Sequence, residues 1–443
     1  MWKSSLLKLS GPLSCSILLD KSSGNQGEKG RLSLEEWQNL FRELKDFVTD
    51  LHVYCEKPEE ELEYFLNILR LIEAQNIRFH VHCSGLWDEP REFLMAIKEF
   101  SHFLYLYLTV YGAEAESHSK NSGNKRFDEL DANIKLANLY ACDMVVSSEL
   151  NKNNVHELED MIQHYQNIGV RRVEFERRVA APNPETDLSD KEFEDALIRI
   201  DQMAQEGWRT AVGGCVPQCF CKEVKSVCRG GGINFCAVDS SGFVRPCLHS
   251  ELKAGQVTKG GFERIWKGRL MKKWGENNPP ECRDCDAFSS YLCFGGCKCL
   301  AEKLNVARDP LVRKPVKLDD FKTSPEIKLD ASLCPLPRYE VRKESFGFIL
   351  IHDGQFIPIK KGASALLSAM DGETSLKKLE GQFGKEVIPL IFSLYLRKFL
   401  IFRTIMTERP LQPASSSASQ PRRPQEQRNM PGGPQEQCSM PRR

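Results

Sequence analysis

Twelve of the chain's 17 cysteines fall between Cys215 and Cys334, in an orderly series: Cys228, then Gly242 and Cys247, then Cys282-x2-Cys285-x7-Cys293-x3-Cys297, with Cys299 and Cys334 beyond. Cysteines two or three residues apart can turn their sulfurs toward one ion or cluster, so the chemistry this block suggests is metal binding by thiolates. A cubane iron-sulfur cluster takes four thiolates, and the block holds enough for two. The bland alternative is a zinc ribbon, which two CxxC-like pairs would also satisfy. The number of cysteines, their spread over more than a hundred residues and the Gly242-x4-Cys247 hairpin favour iron-sulfur. Cys215, Cys219 and Cys221 lie just upstream and match no spacing, so they read either as extra ligands or as part-buried thiols. His80 and His82 share one strand face beside Cys83 and read as structural histidines.

The rest of the chain limits what these cysteines can serve. At 443 residues there is room for roughly three ordinary domains. Lys and Arg total 61 against 61 Asp and Glu, so no global field argues for nucleic acid or an acidic membrane surface. Lys3 ahead of the apolar stretch Leu6 to Leu19 imitates a signal peptide, but Lys8 interrupts it and no A-x-A-like site follows, so a first buried strand is expected there. No other segment approaches the roughly 18 uninterrupted apolar residues of a membrane span. A cytoplasmic protein is expected, where thiols stay reduced and clustered cysteines are metal ligands more often than disulfides.

The first 210 or so residues alternate strand-like and helical runs. Ser33 to Glu36 reads as a capping box opening a helix to Phe47. Strands are predicted at Asp50 to Cys55, Ile77 to Cys83, His102 to Val110, Asp143 to Ser148, Val170 to Phe175 and Arg209 to Val212, each pair separated by a helix. Repeated βα units imply a parallel sheet, either a partial or complete (β/α) barrel or an open doubly wound sheet, with ligands at the carboxyl ends of the strands. From Gly213 to Pro335 the chain turns Gly- and Cys-rich, with little helical period, and is expected to depend on bound metal for folding energy. A third unit follows, with three strands in Tyr339 to Ile359 and helices Ala363 to Met370, Leu376 to Phe383 and Val387 to Phe399. The end, from about Glu408, is Pro-, Gln- and Ser-rich with an internal repeat, and is expected to be disordered. The predicted organisation is therefore 1–212, 213–335, 336–407 and 408–443.

The cysteine series resembles the SPASM (twitch-type) domain of peptide-modifying radical SAM proteins, and Ser240 to Leu248 resembles that family's hairpin before a cluster ligand. The resemblance implies two auxiliary 4Fe-4S clusters, or at least one. Carried over residue by residue, Cys228, Cys247 and Cys297 would hold the first, with Cys236 or an upstream cysteine as fourth ligand. Cys282, Cys285, Cys293 and Cys334 would hold the second, with Cys299 competing for the last place. The gap between Cys285 and Cys293 departs from the family's five residues.

The N-terminal part departs further. The radical SAM family carries Cys-x3-Cys-x2-Cys in its first βα loop, whereas the best superposition here, on Ser10 to Leu19, keeps Cys15 alone, with Gly11 and Leu18 in the other two places. The family's Gly-Gly-Glu-Pro becomes Tyr54-Cys55-Glu56-Lys57-Pro58, filling space that glycines leave for a close approach. The barrel thus looks inherited and S-adenosylmethionine binding is not expected, unless Cys15, Cys55 and Cys83 converge to rebuild a site. The third unit is similar to the PqqD-type winged-helix module that recognises precursor-peptide leaders, on Tyr339 to Arg342, Ser345 to Ile351, the turn Asp353-Gly354 and Gly362 to Gly372. That likeness implies β-augmentation on Gln355 to Lys360, against an apolar wall from Val387 to Phe399.

Together these resemblances imply an accessory protein like the SPASM-domain partners of GeoRSP-type systems. It would bind a precursor peptide and serve a separate radical SAM maturase by presentation or electron transfer, without being a self-sufficient radical SAM enzyme. The alternatives are an atypical maturase with a rebuilt or auxiliary-cluster active site, and a zinc-stabilised scaffold.

Overall fold

The βα couplets assemble into one ten-stranded sheet in a computed structural model that describes residues 7–20, 30–221, 228, 230–317, 330–352 and 354–403. Seven strands, β1 (Ser14–Leu18), β2 (Asp50–Tyr54), β3 (Arg78–Cys83), β4 (Phe103–Thr109), β5 (Met144–Glu149), β6 (Arg172–Glu176) and β7 (Thr210–Val212), run parallel and side by side in chain order. Sequential order without reversal is that of a barrel wall, and it sets aside the doubly wound alternative, whose order must reverse. Among the described residues β7 pairs with β6 alone, so the wall stays open.

Local chemistry explains the helices between these strands. Ser33 caps Leu34–Leu44 through a reciprocal box, its hydroxyl accepting from the Glu36 N–H at 3.2 Å while Glu36 accepts from the Ser33 N–H at 2.8 Å. Ser189 and Glu192 repeat the device on Asp190–Gln205. The first helix turns one apolar stripe inward, made of Trp37, Leu40, Phe41 and Leu44. No helix among the described residues is long and apolar enough to cross a membrane.

The other side of β1 is taken by a strand from the cysteine-rich region. β8 (Phe235–Asp239) lies parallel to β1, with Cys15 opposite Cys236, then turns at Gly242 into antiparallel β9 (Phe243–Arg245), which pairs with β10 (Gly255–Gln256). Gly242 has φ +82°, where an added Cβ would also strike Leu32. The region shares the core of the parallel sheet rather than building a large one of its own: Val238, Val244, Phe262, Trp266 and Met271 belong to it. Its periodicity is faint because its helices are short.

In the third unit β11 (Cys334–Pro337) is followed by an antiparallel sheet of β12 (Glu340–Glu344), β13 (Gly347–His352) and β14 (Gln355–Lys360), with β13 central. Helices Ser364–Ala369, Leu376–Phe383 and Val387–Leu396 follow, and β15 (Leu400–Arg403) returns to pair with β11. Leu350, Leu379, Ile391 and Phe399 form its own core. It is nonetheless welded to the rest. Ile349, Ile351 and Phe356 pack with Leu9, Leu13, Ile233 and Phe294, and the Arg342 guanidinium donates to the carbonyls of Gly11, Pro12 and Phe47. The repeat-bearing end and Asp353 of the expected turn lie outside the described residues.

Candidate metal centres

Two separate sets of thiols come together, and their membership differs from the spacing-based assignment. The first set lines one small cavity with Cys215, Cys228, Cys247, Cys297 and Cys299. The Cys215 and Cys228 sulfurs are 3.5 Å apart, Cys215 and Cys299 both touch Cys297, and Cys299 touches Cys247. The members come from separate turns, except Cys297 and Cys299, which share one helix start. Cys215 follows β7 through Gly213-Gly214, Cys247 follows the β8–β9 hairpin, and Cys297 caps the helix Lys298–Lys303.

Crowding sulfurs in an apolar shell makes their protons unequal. The Cys297 thiol is lowered to about 3, first by the Cys215 and Cys299 thiols beside it, then by the Leu300 N–H and the Arg177 charge, which outweigh burial. Cys228 is lowered chiefly by Cys215, with help from the Gly230 and Gly231 N–H groups. Cys215 and Cys299 move up in compensation. Such N–H groups aimed at sulfur stabilise thiolate, the form that binds metal. Glycine is required at 231 because a Cβ there would come within 2.7 Å of the Pro246 carbonyl and 3.1 Å of the Cys247 Cβ.

A buried ion pair holds this set from behind. Arg177, just past β6, binds Asp309 through both guanidinium nitrogens at 2.7 and 2.9 Å, and its Nη1 also donates to the Cys215 carbonyl at 3.2 Å. Asp309, whose side chain is fully buried, accepts from the Cys297 N–H at 2.7 Å and from the Leu311 N–H at 2.9 Å. Neither residue stands out in the sequence, since their link spans 132 positions.

The second set is Cys219, Cys282, Cys285 and Cys293, packed with Ala287, Phe288 and Val316. Cys282 is pushed up to about 12, first by burial and then by the neighbouring Cys293, Cys285 and Cys219. Burial also raises Cys293, against the pull of the Gln218, Gly295 and Gly296 N–H groups. The Cys219 sulfur accepts from the Arg313 N–H at 3.1 Å. Four mutually close thiols with N–H donors aimed at them form an all-sulfur donor set, which fits a cubane cluster or a zinc ion and no hard cation.

Geometry relocates Cys334 and Cys299 and chooses between the alternatives for the fourth ligand of the first set. Cys334 lies on β11, opposite Arg403 of β15, where its thiol donates to the carbonyls of Glu373 at 3.3 Å and Ser332 at 3.6 Å; Cys219 stands where Cys334 was expected. Cys236 lies in mid-sheet, its sulfur 3.5 Å from that of Cys15, both fully buried; an upstream cysteine, Cys215, fills the place considered for it. Cys299 joins the first set rather than competing in the second. Cys15, the second residue of β1, lies near that strand's amino end and away from the mouth at the carboxyl ends, which Cys55 and Cys83 line together.

That mouth is a cavity of about 670 Å³ at the carboxyl ends of the parallel strands. Tyr54, Glu56, His82, Tyr111 and Glu176 line it from the sheet, while Cys215, Cys228, Cys247 and His249 form its far wall. The first thiol set therefore borders the place where a parallel sheet of this type receives its ligand.

Residues 228–286 match the family model of SPASM, an iron-sulfur cluster-binding domain. Among solved structures, the chain is similar to Streptococcus suis SuiB bound to S-adenosylmethionine, with TM-score 0.55 and 14% identity over 69% of this chain and 78% of that one. It is similar also to SuiB bound to its precursor peptide SuiA, at TM-score 0.54 and 13% identity over 69% and 76%. Native anSMEcpe with bound AdoMet and a peptide follows at TM-score 0.50 and 17% identity, covering 66% of this chain and 90% of that one. At such identities the likeness is one of fold. Comparison with curated proteins gives no match.

Proposed function

We propose that the chain is an accessory iron-sulfur protein of ribosomal peptide modification, which binds a precursor peptide and supports a separate radical SAM maturase. The observation that carries this reading is a contrast in where the thiols stand. Cys228 and Cys247, inside the segment that matches an iron-sulfur domain, border the cavity together with Cys215, while residues 19–32, which follow β1 in the sequence where radical SAM enzymes place their three cysteines, contain no cysteine.

On this reading Cys215, Cys228, Cys247 and Cys297 hold one cluster with Cys299 beside it, and Cys219, Cys282, Cys285 and Cys293 hold the other. Clusters bound there supply one-electron transfer. The protein's own residues do the rest. Gly230, Gly231, Gly295 and Gly296 turn N–H groups toward sulfur, and the Arg177–Asp309 pair fixes the Cys215 and Cys297 turns. Phe294 and Trp274 line the cavity of the first set on its apolar side. The peptide leader adds a strand to β14, whose outer edge has no partner strand among the described residues, with Val387–Leu396 as the apolar side. The SuiB structure with SuiA supports a peptide partner for this fold.

A second reading draws on the same cavity. Because Cys215, Cys228 and Cys247 border it directly, a substrate group could approach the first cluster itself, making the chain an atypical maturase. Anaerobic reconstitution with iron and sulfide counting, combined with calorimetry of S-adenosylmethionine and of a precursor peptide, separates the cases. Two clusters, peptide binding and no S-adenosylmethionine binding are expected. A third cluster with S-adenosylmethionine binding overturns the accessory role, a spectral change of the first cluster on adding peptide selects the second reading, and stoichiometric zinc in protein purified without air selects a scaffold.

A further inference from the structure

The inner face of the parallel sheet carries a line of imidazoles and phenols that the thiol chemistry does not use. The β2–β3 register pairs His52 with His80 and Tyr54 with His82, and the period of two puts Asp50 on the same face as His52. His52 and His80 stack at 4.6 Å with their planes 19° apart, so their edges point alike. Both present Nε2 to a single carboxylate oxygen, Asp50 Oδ2, at 3.9 Å from His52 and 3.4 Å from His80. The ligand atoms of the three lie within 4.8 Å of one another.

Those separations are too long for charge-assisted hydrogen bonds, which run at about 2.7–2.9 Å. The His80 separation is what one ion demands, since tetrahedral ligands at 2.0–2.1 Å from a zinc-sized ion stand about 3.3–3.4 Å from each other, and the His52 separation is wider, so His52 would have to draw in on binding. A further observation points to a ligand. His52 Nδ1 meets His82 Nε2 at 2.8 Å, the outer contact that sets the tautomer and orientation of a metal-bound imidazole.

We propose that Asp50, His52 and His80 form a mononuclear site for a divalent transition-metal ion, distinct from the thiol sets. Two imidazoles and one carboxylate leave coordination positions open. Asp50 and His80 face a cavity of about 900 Å³ at the amino ends of the strands, closed below by Arg338 and His352 of the third unit. Arg78, Arg171, Arg172 and Arg209 also line it, so the ion's open side meets a basic chamber that would admit small anions.

Mn(II) is the probe, since it prefers oxygen and imidazole donors to thiolates. The full chain, with its thiol sites first reconstituted anaerobically, is titrated with Mn(II) while the signal of the free ion is followed by electron paramagnetic resonance. One bound Mn(II) per chain is expected, with affinity weakened at least tenfold by His80→Gln and by Asp50→Asn. Equal binding by all three proteins, or none by the wild type at millimolar Mn(II), overturns the site. If either variant fails to fold by circular dichroism, Co(II) added to the wild-type protein decides: ligand-field bands without sulfur charge transfer uphold the site, and their absence refutes it.

Discussion

Replacing Asp309 tests whether the first thiol set is held by the ion pair behind it. Its fully buried carboxylate accepts four hydrogen bonds, two from Arg177 and one each from the Cys297 and Leu311 N–H groups. In Asp309→Ala, Arg177, only 10% exposed, keeps the Cys215 carbonyl as an acceptor but loses its counter-charge. Removing one partner of a buried pair costs about 3–5 kcal/mol, and each orphaned N–H adds roughly 1–3 kcal/mol in isolation. These terms share one carboxylate and do not add, so a loss of about 3–5 kcal/mol is expected. Anaerobic denaturant unfolding of the iron-loaded protein measures it, and visible absorbance during iron release shows which set lets go. The first set should lose iron faster while the second is retained. A loss below about 1 kcal/mol with unchanged iron release would refute the supporting role, because no buried charge could then be depending on Asp309. Arg177→Met combined with Asp309→Leu should recover part of the stability, as apolar replacements of buried pairs do.

Three shorter tests follow. Cys219→Ser should lower the iron content of reconstituted protein by about half if each set holds one cubane, while Cys334→Ser leaves it unchanged; the reverse pattern would restore the spacing-based assignment. Cys55 has its thiol pushed up to about 12, first by burial and then by Asp20, so at pH 8 only about one part in ten thousand is thiolate. Its alkylation, mapped by mass spectrometry, should be very slow at pH 8 and rise about tenfold per pH unit toward 11; fast labelling at pH 8 contradicts this. Leu396→Asp, which puts a charge on an exposed position of the apolar helix Val387–Leu396, should weaken precursor-peptide binding at least tenfold by fluorescence anisotropy and leave iron content intact; unchanged affinity moves the peptide elsewhere.

Much of the frame was legible because it rests on periodicity. The six predicted βα strands fall within a few residues of β2 to β7, and the Ser33 box is present as expected, since capping and amphipathic stripes are local properties. Cys282, Cys285 and Cys293 group as their spacing suggested, because short turns carry them. Partnership across distance was not legible. Cys219 and Cys215 reach their sets because β7 ends beside the cysteine-rich region, and Cys334 is drawn away because β15, which has no strong alternating pattern, pairs with β11. His80 and His82 on β3 read as structural, and His52 on β2 drew no reading, for the same reason: the approach of His52 and His80 to Asp50 depends on parallel register, which a strand pattern does not reveal.

The position of β8 beside β1 has a consequence for how the chain is made. Cys15 and Cys236 are neighbours across that pairing but stand 221 positions apart, so at ribosomal rates of about 5–20 residues per second β1 waits on the order of 10–45 s for its second neighbour. Throughout that interval the nascent sheet offers an unpaired strand edge, the kind of surface that invites wrong pairing. The strand that covers it is flanked by Cys228 and Cys247, so metal delivery and protection of the earliest strand fall to the same late segment. A cell short of iron would then be expected to accumulate this protein as aggregate rather than as folded, cluster-free chain.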